Sequence, residues 1–406
     1  MTVTKLGTFS AAFKYRNFRY FWVATMFASS GRWMEAIVLS WLVLKMTGSP
    51  FLTGLVIACR WLGYGLGPVF GAWTDRYDRR TLLLIITSLS VVYSFILAFL
   101  ITTGSIQYWQ TIIIALVASL AHGFDFPLRY AFTTDMVDKQ DLSNAVALSA
   151  VAIDITAILG PALAGPLIDI IGTGGVCWIL VGNYILNVLA LYIIRGVSQT
   201  EKMTEGSLWS NIVEGARYIR SNPPVFALLI MAATYNLFEF PLRNALVPVF
   251  ADKILDVGAS GYGFLLASSG AGALIGAAVV AMLGDFRYKA WLCIISSVGV
   301  GIAAAAFSNS TLYPLSLPLM SCVGVLEAIG MITLTALLLL LTPTEMKGRV
   351  MGMRSFAILP LSIGSIIAGA MAENFGAPIA GTINASLQFF LMLIISLMVP
   401  SLRRSG

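Results

Sequence analysis

The sequence predicts an all-α membrane protein of twelve transmembrane helices in two six-helix bundles, with both termini in the cytoplasm. An apolar composition, long runs without charge and basic residues confined to alternate loops lead to this class. Of the 406 residues, 58% are hydrophobic and only 11% are charged, whereas a soluble domain carries about 25% charged residues. A chain of this composition cannot cover a water-exposed surface, so a lipid bilayer is the solvent that it fits.

The predicted helices follow the apolar runs, because about 20 apolar residues cross the hydrocarbon core as a helix. The run Thr81–Thr103 holds no charge, and 290–343 is interrupted only by Glu327 and by turn residues near Asn309. In chain order the predicted helices cover residues 18–46, 51–73, 81–103, 108–134, 145–171, 174–195, 224–250, 258–283, 290–308, 311–342, 350–374 and 377–400.

Basic residues determine the predicted orientation. The terminal segments and alternate loops hold most Lys and Arg, whereas the opposite loops hold only Lys45 and Lys253. By the positive-inside rule, both termini and the central loop lie in the cytoplasm, as expected of a multi-pass protein of the cytoplasmic (inner) membrane. The predicted units are an N-terminal bundle (1–195), a cytoplasmic linker with an amphipathic helix (196–223) and a C-terminal bundle (224–406).

The two halves echo each other in sequence. LAGPLIDIIG at Leu163–Gly172 matches IAGAMAENFG at Ile367–Gly376 at the glycines and the acid. FDFPLR at Phe124–Arg129 returns as FEFPLR at Phe238–Arg243. Two related halves are expected of a carrier whose site lies at their interface, although apolar stretches also match by chance.

Charged side chains inside the predicted helices indicate a functional site. Each costs about 2.5–3.5 kcal/mol at a helix centre on insertion scales, so each needs a compensating role. Spacings of three or four residues place partners on one helix face, and static structural pairs are the alternative to a cavity function. The pairs predicted in this way are Arg32/Glu35, Asp125/Arg129 and Glu239/Arg243.

Glu327 differs from the acids of these pairs because its own helix carries no cation. A buried carboxyl group without a partner favours its protonated form. Glu327 is therefore the first candidate for the group that carries a proton, ahead of the three paired acids. Two further charges, Arg60 and Asp154, are expected to pair across the first half.

Aromatic residues cluster around Pro127 and Pro241, which interrupt the predicted helices 4 and 7. Irregular backbone at membrane depth is tolerated mainly where it lines a cavity. A cavity lined by these rings suits an amphipathic or aromatic substrate, and core packing is the alternative. The aromatic residues predicted to line it are Trp33, Phe124, Phe126, Tyr130, Tyr235, Phe238 and Phe240.

The segment 71–80 resembles motif A of the major facilitator superfamily, G-x-x-x-D-R-x-x-R-R, at its usual place between helices 2 and 3. The resemblance implies that Asp75 meets the N-terminus of helix 11, whose partial positive charge attracts it, and latches the cytoplasmic side. A solvated basic loop is the alternative for the arginines. The gating residues are Gly71, Asp75, Arg76, Arg79 and Arg80, with Asp285 in a degenerate second copy.

Helix 5 carries Gly160, Pro161 and Gly165, which resemble the antiporter motif C of exporters. The stretches 126–129, 141–145, 214–219 and 348–352 are similar to the enterobactin-exporter-like branch of bacterial drug and siderophore exporters. This resemblance implies the major facilitator fold and a monomer that exports a small amphipathic molecule, a drug or siderophore, in exchange for protons. The motif B arginine of the family falls at Ser119, so proton coupling through that arginine is not expected.

Several other classes of function are disfavoured. The only histidine is His122 and the cysteines lie singly in apolar runs, so neither a metal site nor a cofactor is predicted. No Ser/His/Asp arrangement, Walker loop or HExxH motif indicates an enzyme, and the basic residues set topology rather than bind nucleic acid. The expected partners are a small-molecule substrate, protons and lipid. The alternatives are an importer of a sugar, peptide or organic acid, and a membrane sensor that does not transport.

Overall fold

The computed structural model describes residues 11–67, 70, 77–196, 208–284 and 287–399, which form helices and turns without any β-strand. A 3₁₀ turn, Ala11–Lys14, precedes the first long helix. The long helices are α1 (Arg16–Thr47), α2 (Pro50–Leu62, extended by the 3₁₀ turn Gly63–Leu66), α3 (Arg79–Thr102), α4 (Tyr108–Thr134), α5 and α6 (both within Leu142–Ile193), α7 (Pro223–Ile254), α8 (Gly258–Leu283), α9 (Lys289–Ser308), α10 (Tyr313–Leu341), α11 (Thr344–Phe375) and α12 (Ala377–Met398).

A glycine separates α5 from α6. The helical segment Leu142–Ile193 has one residue with non-helical angles, Gly172, at φ 75° and ψ 166°. A positive φ is accessible to glycine at little cost, so the chain can turn here. We therefore treat 142–171 as α5 and 173–193 as α6, which agrees with the predicted break between helices 5 and 6.

Length and composition suit most of these helices to a bilayer. Among the described residues, nine helical stretches are long and apolar enough to cross a membrane, with Leu142–Ile193 counted once, and Pro50–Leu66 is a shorter apolar helix. Many of their large apolar side chains, such as Ile85 and Ile302, point outward. The predicted class of an all-helical, multi-pass membrane protein is confirmed.

The two halves meet along α2 with α11 and along α5 with α8. Glycines permit this approach, because a Cβ atom on Gly54 would lie 2.3 Å from the carbonyl oxygen of Ser365. In the same way, a Cβ atom on Gly263 would lie 2.4 Å from the carbonyl oxygen of Pro161. Small residues of this kind let helix backbones touch inside a bilayer.

The two helices that share the F-[DE]-F-P-L-R sequence differ in regularity. α4 continues through Pro127 as an α-helix, whereas α7 contains the π-helical turns Tyr235–Glu239 and Leu242–Leu246 on either side of Pro241. A π-helical turn reorients the side chains that follow it and is frequent at functional sites. The predicted interruption at Pro241 is present in α7 as a change of helix type, whereas the predicted interruption at Pro127 is wrong, because α4 is one continuous α-helix there.

A helix is also present in the polar segment between the halves. It covers Leu208–Ser221, where the sequence predicts an amphipathic helix. Its Glu214 accepts a hydrogen bond of 2.9 Å from Nη1 of Arg349 in α11. The linker therefore packs on the helix whose N-terminal part borders the first of the cavities described below.

Candidate functional site

A buried carboxylate of α4 joins two arginines in the N-terminal half. Asp125 accepts hydrogen bonds of 2.9 and 2.7 Å from Nε of Arg129, one turn later on α4. It also pairs with Nη1 of Arg32 in α1 at 3.3 Å. The expected Asp125/Arg129 pair is present, but Arg32 pairs across helices with Asp125, so the prediction of an Arg32/Glu35 pair is wrong. The residues Arg32, Glu35, Asp125 and Arg129 are each at most 8% exposed.

Glu35 has its own set of partners. Its Oε2 accepts hydrogen bonds from the hydroxyl groups of Tyr93 at 2.8 Å and Tyr184 at 2.9 Å. Its Oε1 lies 3.4 Å from Nε of Arg60. Sequence reasoning missed both tyrosines, because a lone tyrosine in an apolar helix carries no signal that separates it from core packing.

The C-terminal half holds a guanidinium group between two acids. Arg243 donates from Nη1 and Nη2 to the two oxygens of Glu327, at 2.8 and 3.1 Å. Glu239 lies 3.8 Å from Arg243, is 1% exposed, and accepts no hydrogen bond at either oxygen within the described chain. Glu327 has no cation on its own helix, but Arg243 of α7 supplies one, so the inference that its carboxyl group is buried without a partner is wrong. Of these two acids, Glu239 is the one that accepts no hydrogen bond within the described residues.

A first cavity of about 510 Å³ lies between α1, α2, α4, α5 and the start of α11. Its wall is largely apolar and aromatic. It is nevertheless bordered by two of the buried arginines. The lining includes Arg32, Trp33, Arg60, Trp61, Phe126 and Tyr130.

A second cavity of about 370 Å³ lies between the halves, bordered by α1, α5, α7, α8 and α10. Arg243, Glu327 and Asp154 line it, and Trp33 borders both cavities. Because Asp154 faces this space while Arg60 pairs with Glu35, the expected Arg60–Asp154 pair does not form. In the described ranges, no group of His, Cys, Asp and Glu side chains is placed to hold a metal ion.

The aromatic residues named from the sequence divide into two groups. Trp33, Phe126, Tyr130 and Phe240 line one cavity or the other. Phe124 instead stacks on Phe70 with ring centroids 3.7 Å apart. The remaining two are Tyr235, which is fully buried and donates to Ser297, and Phe238, which lies outside both cavities.

One end of the helix bundle is closed by contacts between the halves. Lys45 at the end of α1 forms an ion pair with Asp252 of α7, and Lys253 donates to the carbonyl oxygen of Gly48 at 2.7 Å. Trp41 stacks on Tyr262 just inside these contacts. We call this end, marked by Gly48 and Asp252, the closed end.

The two acids that match in the repeated decapeptides also cross this interface. Glu373 of α11 accepts hydrogen bonds from Oγ of Ser49 at 2.8 Å and from the backbone N–H of Phe51 at 3.2 Å, at the start of α2. Asp169 of α5 accepts from the backbone N–H and Oγ of Ser260, at 2.8 and 2.5 Å, at the start of α8. Each acid therefore caps a helix N-terminus of the opposite half, where the helix dipole favours negative charge.

The motif A residues are described only in part. Arg79 donates from Nη1 to both oxygens of Asp135 at 2.9 Å, and Arg80 donates to the carbonyl oxygen of Tyr192 at 2.8 Å. Four residues of the predicted gate lie outside the described residues, namely Gly71, Asp75, Arg76 and Asp285.

The residues similar to motif C lie at helix contacts. A Cβ atom on Gly160 would lie 2.8 Å from Cβ of Trp33, and one on Gly165 would lie 2.4 Å from the carbonyl oxygen of Ala259. The carbonyl oxygen of Pro161 contacts Gly263 of α8, and Pro161 also borders the second cavity. This segment of α5 thus packs against both the cavity tryptophan and the opposite half.

Comparisons with known proteins agree with this architecture. A sequence model described as transmembrane secretion effector matches residues 7–404. An uncharacterized MFS-type transporter, YfiS of Bacillus subtilis (strain 168), is 24% identical over 387 residues, which cover 90% of this chain and 89% of the relative. The enterobactin exporter EntS of Shigella boydii serotype 4 is 23% identical over 363 residues, 87% of this chain and 84% of the relative. Macrolide efflux protein A of Streptococcus pyogenes is 23% identical over 264 residues, 64% of each chain.

Solved structures of transporters share the fold. A bacterial homologue of the human lysosomal transporter Spinster, in an inward-facing and unoccupied conformation, matches with a TM-score of 0.76 at 12% identity, over 96% of this chain and 98% of that one. The nucleoside transporter NupG matches with a TM-score of 0.73 at 12% identity, over 94% and 99%.

Proposed function

The chain belongs to the transmembrane secretion effector family of the major facilitator superfamily, and from this premise we propose that it exports a small amphipathic molecule across the cytoplasmic membrane in exchange for protons. The observation that carries the proposal is the cluster of Glu239, Arg243 and Glu327 beside the second cavity. One guanidinium group there serves two carboxyl groups, and Glu239 is the one that it leaves without a hydrogen bond.

Charge balance gives this cluster its expected role. With both acids ionised the cluster has a net charge of −1, and a charge near the middle of a membrane costs about 2.5–3.5 kcal/mol on insertion scales. A single proton on Glu239 makes the cluster neutral without disturbing the bidentate pair of Arg243 with Glu327. The Asp125 cluster has no such freedom, since Arg32 and Arg129 both hold its carboxylate. We therefore assign the exchanged proton to Glu239, and not to Glu327, which the sequence favoured.

Alternating access supplies the transport cycle. In the proposed orientation the closed end faces the outside, since Lys45 and Lys253 are the only basic residues of the predicted outer loops. A proton that arrives from outside favours the conformation closed at that end, and a substrate that enters from the cytoplasm displaces the proton inward. A proton that enters along the membrane potential gains about 2.3 kcal/mol per 100 mV, which can drive export.

The same proposal includes the full topology. Twelve spans, cytoplasmic termini and a cytoplasmic linker fit helices α1–α12, and a single chain contains both cavities and the Glu239 cluster, so a monomer suffices. Relatives named for macrolide efflux and enterobactin export favour export over import.

Transport in liposomes tests the proposal. Purified protein is reconstituted with an acidic lumen, and uptake of tritiated erythromycin, 1-naphthoate, 1-naphthamide and 1-naphthylmethylamine is compared with protein-free liposomes. We expect at least one probe to accumulate only with the pH gradient, and Glu239→Gln to lower that accumulation at least tenfold.

A matched change of an exposed acid is the control. Asp256→Asn likewise replaces a carboxylate by an amide, in a loop at the closed end. We expect it to leave accumulation unchanged. Full accumulation by Glu239→Gln would contradict the proton assignment. Uptake that needs a gradient of the opposite sign would instead support the importer alternative.

A further inference from the structure

The wall of the first cavity carries hydrogen-bond donors, and the carboxylates that pair with its two arginines lie behind the wall and not on it. Besides apolar groups, its described lining includes the guanidinium groups of Arg32 and Arg60 and the indole N–H of Trp61. Hydroxyl groups of Tyr130 and Ser355 add to this set. No aspartate or glutamate is found among the lining residues in the described part of the chain.

Two of these donors, Nε of Arg60 and Nε1 of Trp61, have no hydrogen-bond acceptor within the described residues. Among the described residues, Arg60 donates one hydrogen bond, from Nη2 to the carbonyl oxygen of Arg32, and its buried Nε lies 3.4 Å from Glu35 without hydrogen-bond geometry. Nε1 of Trp61 is buried and donates to nothing within the described residues. An arginine carries five N–H donors, and a buried donor left unpaired costs about 1–3 kcal/mol. These donors therefore lack hydrogen-bond acceptors. The oxygen atoms of a bound ligand can supply them.

Among the buried ion pairs beside this cavity, positive charges outnumber negative ones. In the described part of the chain, ion pairs join Arg32, Arg60 and Arg129 to two carboxylates, Glu35 and Asp125, so with His122 neutral these five paired side chains have a net charge of +1. These five residues are at most 8% exposed, and a surplus charge is screened less in a buried site than in bulk water. A ligand with one negative charge balances the cluster, and a cation does not.

From these observations we propose that the first cavity binds an organic anion: a molecule with an aromatic or apolar body and one carboxylate or comparable oxyanion directed at Arg32 and Arg60. The rings of Phe126 and Tyr130, packed edge to face with centroids 5.2 Å apart and each partly exposed, offer a surface for the body. The volume of about 510 Å³ lies in the usual range for such ligands. This substrate class rests on the proposed function of the protein as an exporter.

The charged groups of the second cavity explain why an anion binds in the first cavity and not in the second. Asp154 and Glu327 line it, with Arg243 already engaged by Glu327. An anion is therefore repelled from that side of Trp33 and attracted to the other. The anion site consequently lies next to the cavity that Arg243 and Glu327 of the proton-exchange cluster line, so that loss of a proton from this cluster and entry of an anion into the first cavity can be linked.

Equilibrium binding of three probes tests the class. The full-length protein in lipid nanodiscs is titrated with 1-naphthoate, neutral 1-naphthamide and cationic 1-naphthylmethylamine, and binding is followed by calorimetry and by quenching of tryptophan fluorescence. We expect 1-naphthoate to bind at least tenfold more tightly than either of the other two. Equal or tighter binding of the amide or the amine would overturn the proposal.

A change on the cavity wall outside the buried cluster provides the second test. Ser355→Asp places a negative charge on the lining, and Ser355→Asn is its neutral match of nearly the same size. We expect Ser355→Asp to weaken 1-naphthoate binding at least tenfold and Ser355→Asn to weaken it less than threefold. Equal losses in the two variants would show that size and not charge matters, against the proposal.

Binding and transport can fail separately. Gradient-driven accumulation of erythromycin or the amine, without preferential binding of 1-naphthoate, would leave the exporter function standing and overturn the anion class. Tight and selective binding of 1-naphthoate, without accumulation of any probe, would support the anion site and contradict proton-driven export.

Discussion

The two copies of F-[DE]-F-P-L-R place the same acid–proline–arginine order in different surroundings. In α4, Asp125 is held by Arg129 of its own copy and by Arg32 of α1. In α7, Arg243 turns to Glu327 of α10, and Glu239 of its own copy is left 3.8 Å away. The number of cations supplied by neighbouring helices makes the difference: α1 brings a second arginine to α4, whereas α10 brings a second acid to α7.

This contrast assigns different work to the halves. In the N-terminal cluster arginines outnumber carboxylates. This suits a cluster that keeps its protonation state and attracts an anion. The C-terminal cluster has one cation for two acids, which suits a group that gains and loses a proton. Sequence similarity between halves thus does not carry over to the protonation behaviour of the matching residues.

The largest effect is expected for the cation that two acids share. Arg243→Ala leaves Glu239 and Glu327 buried without a positive charge, and removal of one partner from a buried pair costs about 3–5 kcal/mol. The free energy of unfolding, measured with SDS in mixed micelles, should fall by about that amount. Arg243→Lys keeps the charge and should retain much of the stability. Equal losses in the two variants would mean that packing rather than charge dominates.

Neutralising the matched acids should have unequal results. Asp125→Asn leaves Arg32 and Arg129 without their carboxylate and should lower the free energy of unfolding by about 3 kcal/mol. Glu239→Gln removes a carboxyl group that accepts no hydrogen bond, so we expect a change below about 1 kcal/mol. The same unfolding assay compares them directly. Similar losses would show that the two copies are equivalent after all.

The acids at the closed end should have an intermediate effect. Glu373→Gln removes the charge that caps α2 across the interface, which contributes about 1 kcal/mol, or about a fivefold shift of a conformational equilibrium. A cysteine placed in the second cavity by Ala36→Cys, with the native cysteines changed to serine, should then react about fivefold faster with an impermeant thiol reagent added at the closed end.

Glu345→Gln is the matched control for that experiment. Glu345 is an exposed acid in the first turn of α11, distant from the closed end. Its neutralisation should leave the labelling rate unchanged. Equal acceleration by both variants would indicate a general loosening and not the loss of a specific cap.

The smallest effect concerns a pair near the start of the chain. Lys14 pairs with Asp141 at 2.6 Å, and this hydrogen bond lowers the pKa of the Asp141 carboxyl below its ordinary value of 3.8. A lowered pKa means that the stabilisation is complete above pH 3.8 and is lost as the pH falls through the pKa of the folded protein. Asp141→Asn should therefore be slightly less stable at neutral pH, and the difference should shrink in acid. A difference that grows in acid would contradict this pairing.

Local spacing predicted some of the site correctly. Asp125 and Arg129 are one helical turn apart, so the helix itself brings them together. The prediction of an Arg32/Glu35 pair used the same rule and is wrong, because other helices present closer partners to both residues. The same limit applies to Glu327, whose cation comes from α7, and to Tyr235, whose ring packs in the core although Phe240 of the same helix lines the second cavity.

The sequence by itself determined the membrane class, the helical segments, the break at Gly172 and the family, because these depend on composition, on period and on residues close together in the chain. Only the tertiary structure decided which charges pair, which cavity is rich in donors and which acid lacks a hydrogen bond. Those properties depend on distances of a few ångströms between helices that are far apart in sequence, and Coulomb and hydrogen-bond energies change steeply over such distances.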